Sequence, residues 1–98
     1  MSRRYLLVQV CSRQPVTGDQ FAEALATSIL KHFGRVGLSR IDPKLIRFDS
    51  HASKAIVSCA KNSTDEMQAA LALCQIYGSE SSAVSLKVSG TIKGLRRS

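Results

Sequence analysis

The sequence lacks a long apolar run, and this excludes one class of protein. No stretch of the 98 residues approaches the roughly 20 consecutive apolar residues that a membrane helix needs. The opening MSRRYLLVQVCS resembles a secretion signal only superficially, because Gln9 interrupts its short apolar run and no cleavage pattern follows. We therefore expect no membrane-spanning helix and no secretion, and the partners that we predict below include no membrane.

Cysteine is also scarce. The three cysteines, Cys11, Cys59 and Cys74, are odd in number and far apart, and each lies in a predicted strand or helix. This spacing fits neither a disulfide framework nor a CxxC metal clip, and no set of side chains clusters as zinc ligands. We expect buried free thiols in a reducing compartment and no metal.

Acidic residues are half as numerous as basic ones. Seven Asp and Glu stand against 14 Lys and Arg, which gives a formal net charge of +7. Such an excess favours association with phosphate polyanions or anionic membrane surfaces, and charge alone does not choose between them. The choice between these two partners therefore depends on where the fold places the charges.

The length of the chain predicts one domain, residues 1–98, and hydrophobic periodicity predicts six elements in it. Alternating residues predict four strands, at 4–11, 45–49, 54–60 and 83–92. Recurrence every three or four residues predicts two helices, at 17–34 and 63–78, with residues 35–44 as a basic connection. Each helix begins with a capping-box pattern, Thr17 with Gln20 and Ser63 with Glu66. The order βαββαβ is that of an α+β ferredoxin-like sandwich, an antiparallel four-stranded sheet of order 4-1-3-2 with two helices on one face.

That topology gathers basic residues at one edge of the sheet, where strands 1 and 2 start, strands 3 and 4 finish, helix 1 ends and helix 2 begins. Ten residues are placed there: Arg3, Arg4, Lys31, Arg35, Arg40, Lys44, Lys61, Lys93, Arg96 and Arg97. Three acids accompany them, Asp42, Asp65 and Glu66, and the remaining charges of the chain cancel. We predict that this edge binds RNA, with an affinity that falls steeply as salt rises.

The few aromatic residues disfavour one mode of RNA recognition. Common RNA-binding domains of this topology stack bases on aromatic residues of strand 3. Here strand 3 is KAIVSCA, without an aromatic residue, and Tyr5 on strand 1 is the one candidate platform. Contact with the backbone of folded RNA, or a protein partner on the open sheet face, is favoured instead.

Segments along the chain resemble one family. They are RYLLVQV, KHFGRVG, LIRFD with AIVSC, AALALC and VSGTIKGL. Together, from Arg4 to Leu95, they are similar to the small protein subunit shared by archaeal and eukaryotic ribonuclease P and ribonuclease MRP. This is the processing-of-precursors subunit five, whose paralogue is the fourteen-kilodalton subunit.

The resemblance implies a non-catalytic role in a ribonucleoprotein. There the RNA subunit, with magnesium, cleaves the 5′ leader from precursor tRNA, and the small protein binds and shapes that structured RNA, so precursor tRNA is an indirect partner. The resemblance also implies a TIM-barrel-like protein partner among other subunits, and no cofactor on this chain. It implies that the residues that face the RNA are Arg3, Arg4, Lys93, Arg96 and Arg97. We expect a nuclear and nucleolar location, with an archaeal cytoplasm as the alternative.

Two other classes of function stay open. An acylphosphatase-like enzyme would hold phosphate in the loop at 11–20, near Arg13, but the glycine-rich loop of that family is missing and Pro15 removes a backbone donor. The second class is a pure protein-interaction module, of which the paralogous subunit is one case. Nothing in the sequence gives a reason for His32 or His51 to meet a cysteine or serine nucleophile, so no catalytic residue is predicted.

Overall fold

A computed structural model describes residues 2–74 and 82–95 of the chain. Its elements are β1 (Arg3–Cys11), α1 (Gly18–Ile41), β2 (Lys44–Asp49), β3 (Lys54–Ala60), a 3₁₀ turn (Lys61–Ser63), α2 (Thr64–Ala72), β4 (Ser82–Ser89) and α3 (Ile92–Leu95). The strands form one antiparallel sheet in the order β2-β3-β1-β4. The predicted α+β ferredoxin-like sandwich, with its 4-1-3-2 sheet, is confirmed. None of the helices in this described part of the chain is long and apolar enough to cross a bilayer.

The hydrophobic core lies between one face of the sheet and the helices α1 and α2. Alternation along β1 buries Leu6, Val8 and Val10. The predicted helix stripes complete the core with Phe21, Leu25, Ile29, Met67, Ala70 and Leu71. Because burial of each large apolar side chain contributes about 1.5–3 kcal/mol, this layer stabilises the fold more than helix propensity does.

Helix α1 starts as predicted. The Thr17 hydroxyl accepts a hydrogen bond from the Gln20 backbone N–H at 3.1 Å, and the Gln20 side-chain oxygen accepts one from the Thr17 N–H at 2.9 Å. This reciprocal pair satisfies two donors that the first turn leaves without helical partners. The capping box at Thr17 is therefore confirmed.

The predicted end of α1 is wrong. Gly34, expected to stop the helix, has φ 70 and ψ −174, a conformation open essentially to glycine, and the helix resumes beyond it to Ile41. Asp42 then ends it in the left-handed conformation, with its N–H donating to the Leu38 carbonyl at 2.9 Å. The segment predicted as a connection at 35–44 is therefore helical over most of its length.

Three further expectations fail at element ends. Ser63 makes no capping hydrogen bond, so the second capping box is wrong. Helix α2 ends at Ala72 instead of 78, and residues 75–78 of that prediction lie outside the described residues. Strand β4 ends at Ser89, because the Ser89 hydroxyl accepts the Thr91 N–H at 3.2 Å and the Thr91 hydroxyl accepts the Gly94 N–H at 3.0 Å. These local bonds turn the chain into α3.

The cysteines are free, and two of the three follow the prediction. Cys59 and Cys74 are buried, whereas Cys11 is exposed. Cys11 follows buried Val10 at the end of β1, so alternation places it on the sheet face that carries no helix. The expectation of three buried thiols is wrong for Cys11.

Candidate nucleic-acid interface

One sheet edge collects the start of β1 and β2 and the end of β3 and β4. The ladder pairs that define it are Arg3–Ala60, Arg4–Cys59, Lys44–Ser58 and Tyr5–Ser89. Helix α3 contacts both β1 and β4 beside this edge, which brings Lys93 close to it. We call this end of the four strands, which is distinct from the outer strands of the sheet, the basic edge.

Arg3 at the basic edge is half-buried and bonded to other parts of the fold. Its Nη1 donates to Asp42 Oδ2 at 2.7 Å, and its Nη2 donates to the Asp42 carbonyl at 2.6 Å and to Ser58 Oγ at 2.9 Å. Its Nε donates to the same Ser58 hydroxyl, which is fully buried, at 3.2 Å. Arg3 thus joins β1, β3 and the end of α1. The sequence carries no local signal for this role, because Arg3 and Asp42 are 39 residues apart.

A second ion pair joins the two helices at the same edge. Arg40, in the last turn of α1, donates from Nε and Nη2 to the carboxylate of Glu66, in the first turn of α2, with Nε 3.2 Å from Oε1. This hydrogen bonding lowers the pKa of Glu66 and raises the pKa of Arg40. The Glu66 carboxylate therefore pairs with Arg40 and does not cap the Ser63 backbone.

Four other cations of the basic edge have no ion-pair partner among the described residues. They are Arg4, Lys44, Lys61 and Lys93. The three lysines are exposed, and Arg4 is half-buried against Gly90. A depression of about 470 Å³ opens beside Lys61, and its lining also includes Arg40 and Asn62. These free cations and the depression could receive the phosphates of a nucleic acid backbone.

The other four predicted residues are Lys31, Arg35, Arg96 and Arg97. Lys31 precedes the kink and lines a small cavity of about 110 Å³ with His32 and Leu73, beside the C-terminal end of α2. It was expected at the basic edge because α1 was expected to end at Gly34. Arg35 is exposed immediately after the kink, and Arg96 and Arg97 lie outside the described residues.

Two cysteines and one histidine of the chain are engaged in the fold. Burial raises the pKa of Cys59 and raises the pKa of Cys74 to about 11, which disfavours the thiolates. His32 Nδ1 lies 2.9 Å from the Ser28 carbonyl of its own helix. Within residues 2–74 and 82–95, no group of three or more His, Cys, Asp or Glu side chains could hold a metal ion.

Comparison with known proteins extends over nearly the whole chain. A model of the Rpp14/Pop5 family matches residues 4–98. Ribonuclease P protein component 2 of Thermococcus kodakarensis is 35% identical over 95 residues, covering 96% of this chain and 79% of that protein. The Pyrococcus furiosus protein of the same name is 32% identical over 96 residues, covering 97% and 80%. The protein of the same name from Methanosarcina barkeri is 33% identical over 92 residues, covering 93% of this chain and 67% of that protein.

The fold also matches a solved structure. A chain in the cryo-EM structure of yeast ribonuclease MRP aligns with a TM-score of 0.75, covering 92% of this chain and 75% of that chain. The sequence identity of this pair is 12%, so the match concerns the fold alone.

Proposed function

Because the chain belongs to the Rpp14/Pop5 family of ribonuclease P and ribonuclease MRP protein subunits, we propose that it binds and shapes the structured RNA of such a ribonucleoprotein without catalysing the cleavage itself. The observation that supports this role is the set of free cations, Arg4, Lys44, Lys61 and Lys93, at one sheet edge. In this proposal the RNA, which would hold the magnesium ions, cleaves the precursor tRNA.

The free cations and the paired ones have different tasks in this proposal. Arg4, Lys44, Lys61 and Lys93 neutralise RNA phosphates, and each neutralised phosphate releases counterions. Arg3 and Arg40 hold β1, α1 and α2 in place through Asp42 and Glu66, so that the free cations keep their spacing. The edge reads the shape of a folded RNA backbone and not its sequence.

The test measures the salt dependence of binding to the ribonuclease P RNA of the same organism. In an edge variant, Arg4→Glu, Lys44→Glu, Lys61→Glu and Lys93→Glu are combined. We expect weaker binding and a flatter plot of log affinity against log salt, because each lost phosphate contact removes a little under one from the slope.

The chain offers a control matched in charge. Arg13→Glu, Arg47→Glu, Lys54→Glu and Lys87→Glu change the net charge equally at exposed or half-buried positions outside the basic edge. This control variant should keep a salt slope close to that of the unmodified protein. An equal loss in the two variants would mean that net charge alone attracts the RNA, and the assignment of the basic edge would be wrong.

The assembly itself is tested by gentle purification of the tagged protein from its own cells. We expect one abundant structured RNA, precursor-tRNA cleaving activity and a TIM-barrel-like protein to be recovered together, from the nucleus and nucleolus in a eukaryote. Recovery of the protein without RNA at low salt would contradict the proposal. The loop near Arg13 would then be tested for phosphatase activity.

A further inference from the structure

The sheet face that carries no helix has an ordered row of side chains across all four strands. In the ladders, Arg47 pairs with Ile56, Ile56 with Leu7, and Leu7 with Lys87. Directly paired residues of antiparallel strands share a face, and Leu7 alternates with the buried core residues of β1, so this row lies on the open face. The row reads cation, aliphatic, aliphatic, cation, and we call it the central row.

The neighbouring row toward the basic edge is partly covered by the chain itself. It consists of Lys44, Ser58, Tyr5 and Ser89. Arg3 covers Ser58, and α3 packs on Ser89, where a Cβ on Gly94 would overlap the serine hydroxyl. In the central row, by contrast, Arg47 is exposed, Leu7 and Lys87 are half-buried, and Ile56 is 8% exposed.

The row on the other side of the central row ends at the β2–β3 hairpin. It consists of Asp49, Lys54, Gln9 and Val84. The Asp49 carboxylate accepts the His51 and Ala52 N–H groups at 3.0 and 3.2 Å, so it is occupied by the turn. Val84 is 51% exposed and extends the apolar surface toward β4.

A cavity of about 580 Å³ opens over the β2 and β3 side of the central row, with Leu7, Ile56, Arg47 and Lys54 in its lining. Within the described part of the chain, neither Arg47 nor Lys54 nor Lys87 has an ion-pair partner. The face therefore combines an aliphatic floor with free positive charges on both sides.

We propose that the central row docks an amphipathic α-helix of a protein partner, with carboxylates on both sides of its apolar stripe. Neighbouring strands are about 4.8 Å apart, so the backbones at Arg47 and Lys87 are separated by roughly 14 Å. A helix with its side chains is about 10–12 Å wide, and fits between them. Its apolar stripe would lie on Leu7 and Ile56, and its carboxylates would meet Arg47 and Lys54 on one side and Lys87 on the other.

An RNA strand fits this surface less well than such a helix does. Sequence-tolerant binding of single strands depends on aromatic side chains that stack with bases, and the central row offers aliphatic ones. Tyr5 lies in the neighbouring row, beside the residues covered by Arg3 and α3. The inference rests on one part of the proposed function, membership of a multi-protein assembly, and not on RNA binding by the basic edge.

The test uses two labelled helical peptides of about 18 residues, long enough to form several turns. Both carry a leucine stripe, flanked by glutamate in one peptide and by lysine in the other. Fluorescence anisotropy with the full chain should show binding of the glutamate peptide at least about tenfold tighter than the lysine peptide, as complementary charge predicts. The combined variant Arg47→Glu, Lys54→Glu and Lys87→Glu should reverse that preference.

Matched controls separate this docking from general attraction and from RNA binding. The combined variant Arg4→Glu, Lys61→Glu and Lys93→Glu, equal in charge but at the basic edge, should keep the preference for the glutamate peptide. Equal binding of the two peptides, or no reversal in the face variant, would overturn the proposal. So would displacement of the peptide by a short oligouridylate, which would make the face an RNA platform. The face variant, Arg47→Glu, Lys54→Glu and Lys87→Glu, should keep its affinity for structured RNA. The docking proposal and the RNA-binding proposal can therefore fail separately.

Cross-linking in the intact ribonucleoprotein gives a second readout. Benzoylphenylalanine introduced in place of exposed Val84 lies beside the central row. After irradiation of the purified complex, we expect an adduct on a protein segment whose apolar residues recur every three or four positions with Asp or Glu beside them. An adduct on RNA, or no adduct, contradicts the inference.

Discussion

At the scale of single residues, Arg3 differs from the other cations of the basic edge because it contacts the buried Ser58 hydroxyl and the end of α1. Replacing Arg3→Ala leaves that hydroxyl without these donors, and an unsatisfied buried polar group costs about 1–3 kcal/mol. We expect the free energy of unfolding to fall by that amount, as measured by urea denaturation.

Arg4→Ala is the control for this effect. Arg4 makes one long hydrogen bond, 3.5 Å from Nη1 to the Arg3 carbonyl, and its removal should change stability by less than about 0.5 kcal/mol. Equal unfolding midpoints for the two variants would show that Arg3 does not hold β1 to α1.

Cys74 predicts a dependence of stability on alkaline pH. Burial raises the pKa of its thiol from 9.0 to about 11, so the unfolded chain loses this proton first as pH rises. The contribution of the thiol to stability is complete below pH 9 and is lost as pH rises through 11, a total of about 2–3 kcal/mol. Urea denaturation between these values should show the decline.

A Cys74→Ala variant isolates the contribution of this thiol to the pH dependence. Its free energy of unfolding should fall less over the same pH interval, because the substitution removes this thiol and leaves every other ionisable group in place. Parallel curves for the two proteins would mean that Cys74 ionises in the folded state as easily as in the unfolded one.

At the scale of elements, Gly34 gives a prediction with a diagnostic sign. In a straight, exposed helix, Gly→Ala stabilises by about 1 kcal/mol. At φ 70 and ψ −174, alanine is strained, and Gly34→Ala should instead destabilise the protein by about 1–3 kcal/mol. Apart from the two adjacent residues and the nearby backbone of the same helix, no atom would approach the new Cβ within 4 Å, so the substitution tests the backbone conformation.

Ser39→Ala, at an exposed position of the same helix, is the control and should raise the unfolding midpoint slightly. If Gly34→Ala behaves as Ser39→Ala does, α1 is a straight helix in solution.

The elements also show what the sequence can predict and where it fails. The pattern at Thr17 and Gln20 predicts a capping box correctly because its partners are local. The same pattern at Ser63 fails because Glu66 binds Arg40, a partner 26 residues away. A glycine in a helical pattern predicts a break but not whether the helix resumes, and Lys31 was misplaced for this reason.

Strand β4 shows a different limit. Its alternation correctly predicts a strand, yet Val84 and Leu86 are each 51% exposed, while Ser85 and Lys87 are half-buried. The register of β1 and β4 shifts between Leu7 and Val8, so the simple alternation of faces is interrupted, and β4 lies at the edge of the sheet. Periodicity identifies a strand, but neighbouring strands decide which side chains are covered.

At the scale of the whole molecule, the net charge of +7 predicts a salt effect independent of RNA. The free cations of the basic edge repel one another, and salt screens this repulsion over about 10 Å at 0.1 M. We expect the urea midpoint to rise between about 0.02 and 0.3 M NaCl, the opposite of what stabilising surface ion pairs would give.

The combined variant Lys44→Gln, Lys61→Gln and Lys93→Gln should reduce this rise, and Arg13→Gln, at an exposed loop position, should leave it nearly unchanged. A midpoint that falls with salt would mean that the two ion pairs of Arg3 and Arg40 outweigh the repulsion. The gathering of charge was predictable from topology, whereas the division into free and paired cations was not, because it depends on contacts between distant residues.

The central position of β1 has a consequence for synthesis on the ribosome. β1 is the first strand to be translated, but one of its two neighbours is β4, the last. At about 5–20 residues per second, roughly 4–16 s pass between the translation of Cys11 and that of Ser89. Throughout that interval one side of the nascent β1 has no partner strand, and this is the period in which a chaperone or a waiting subunit would protect the chain.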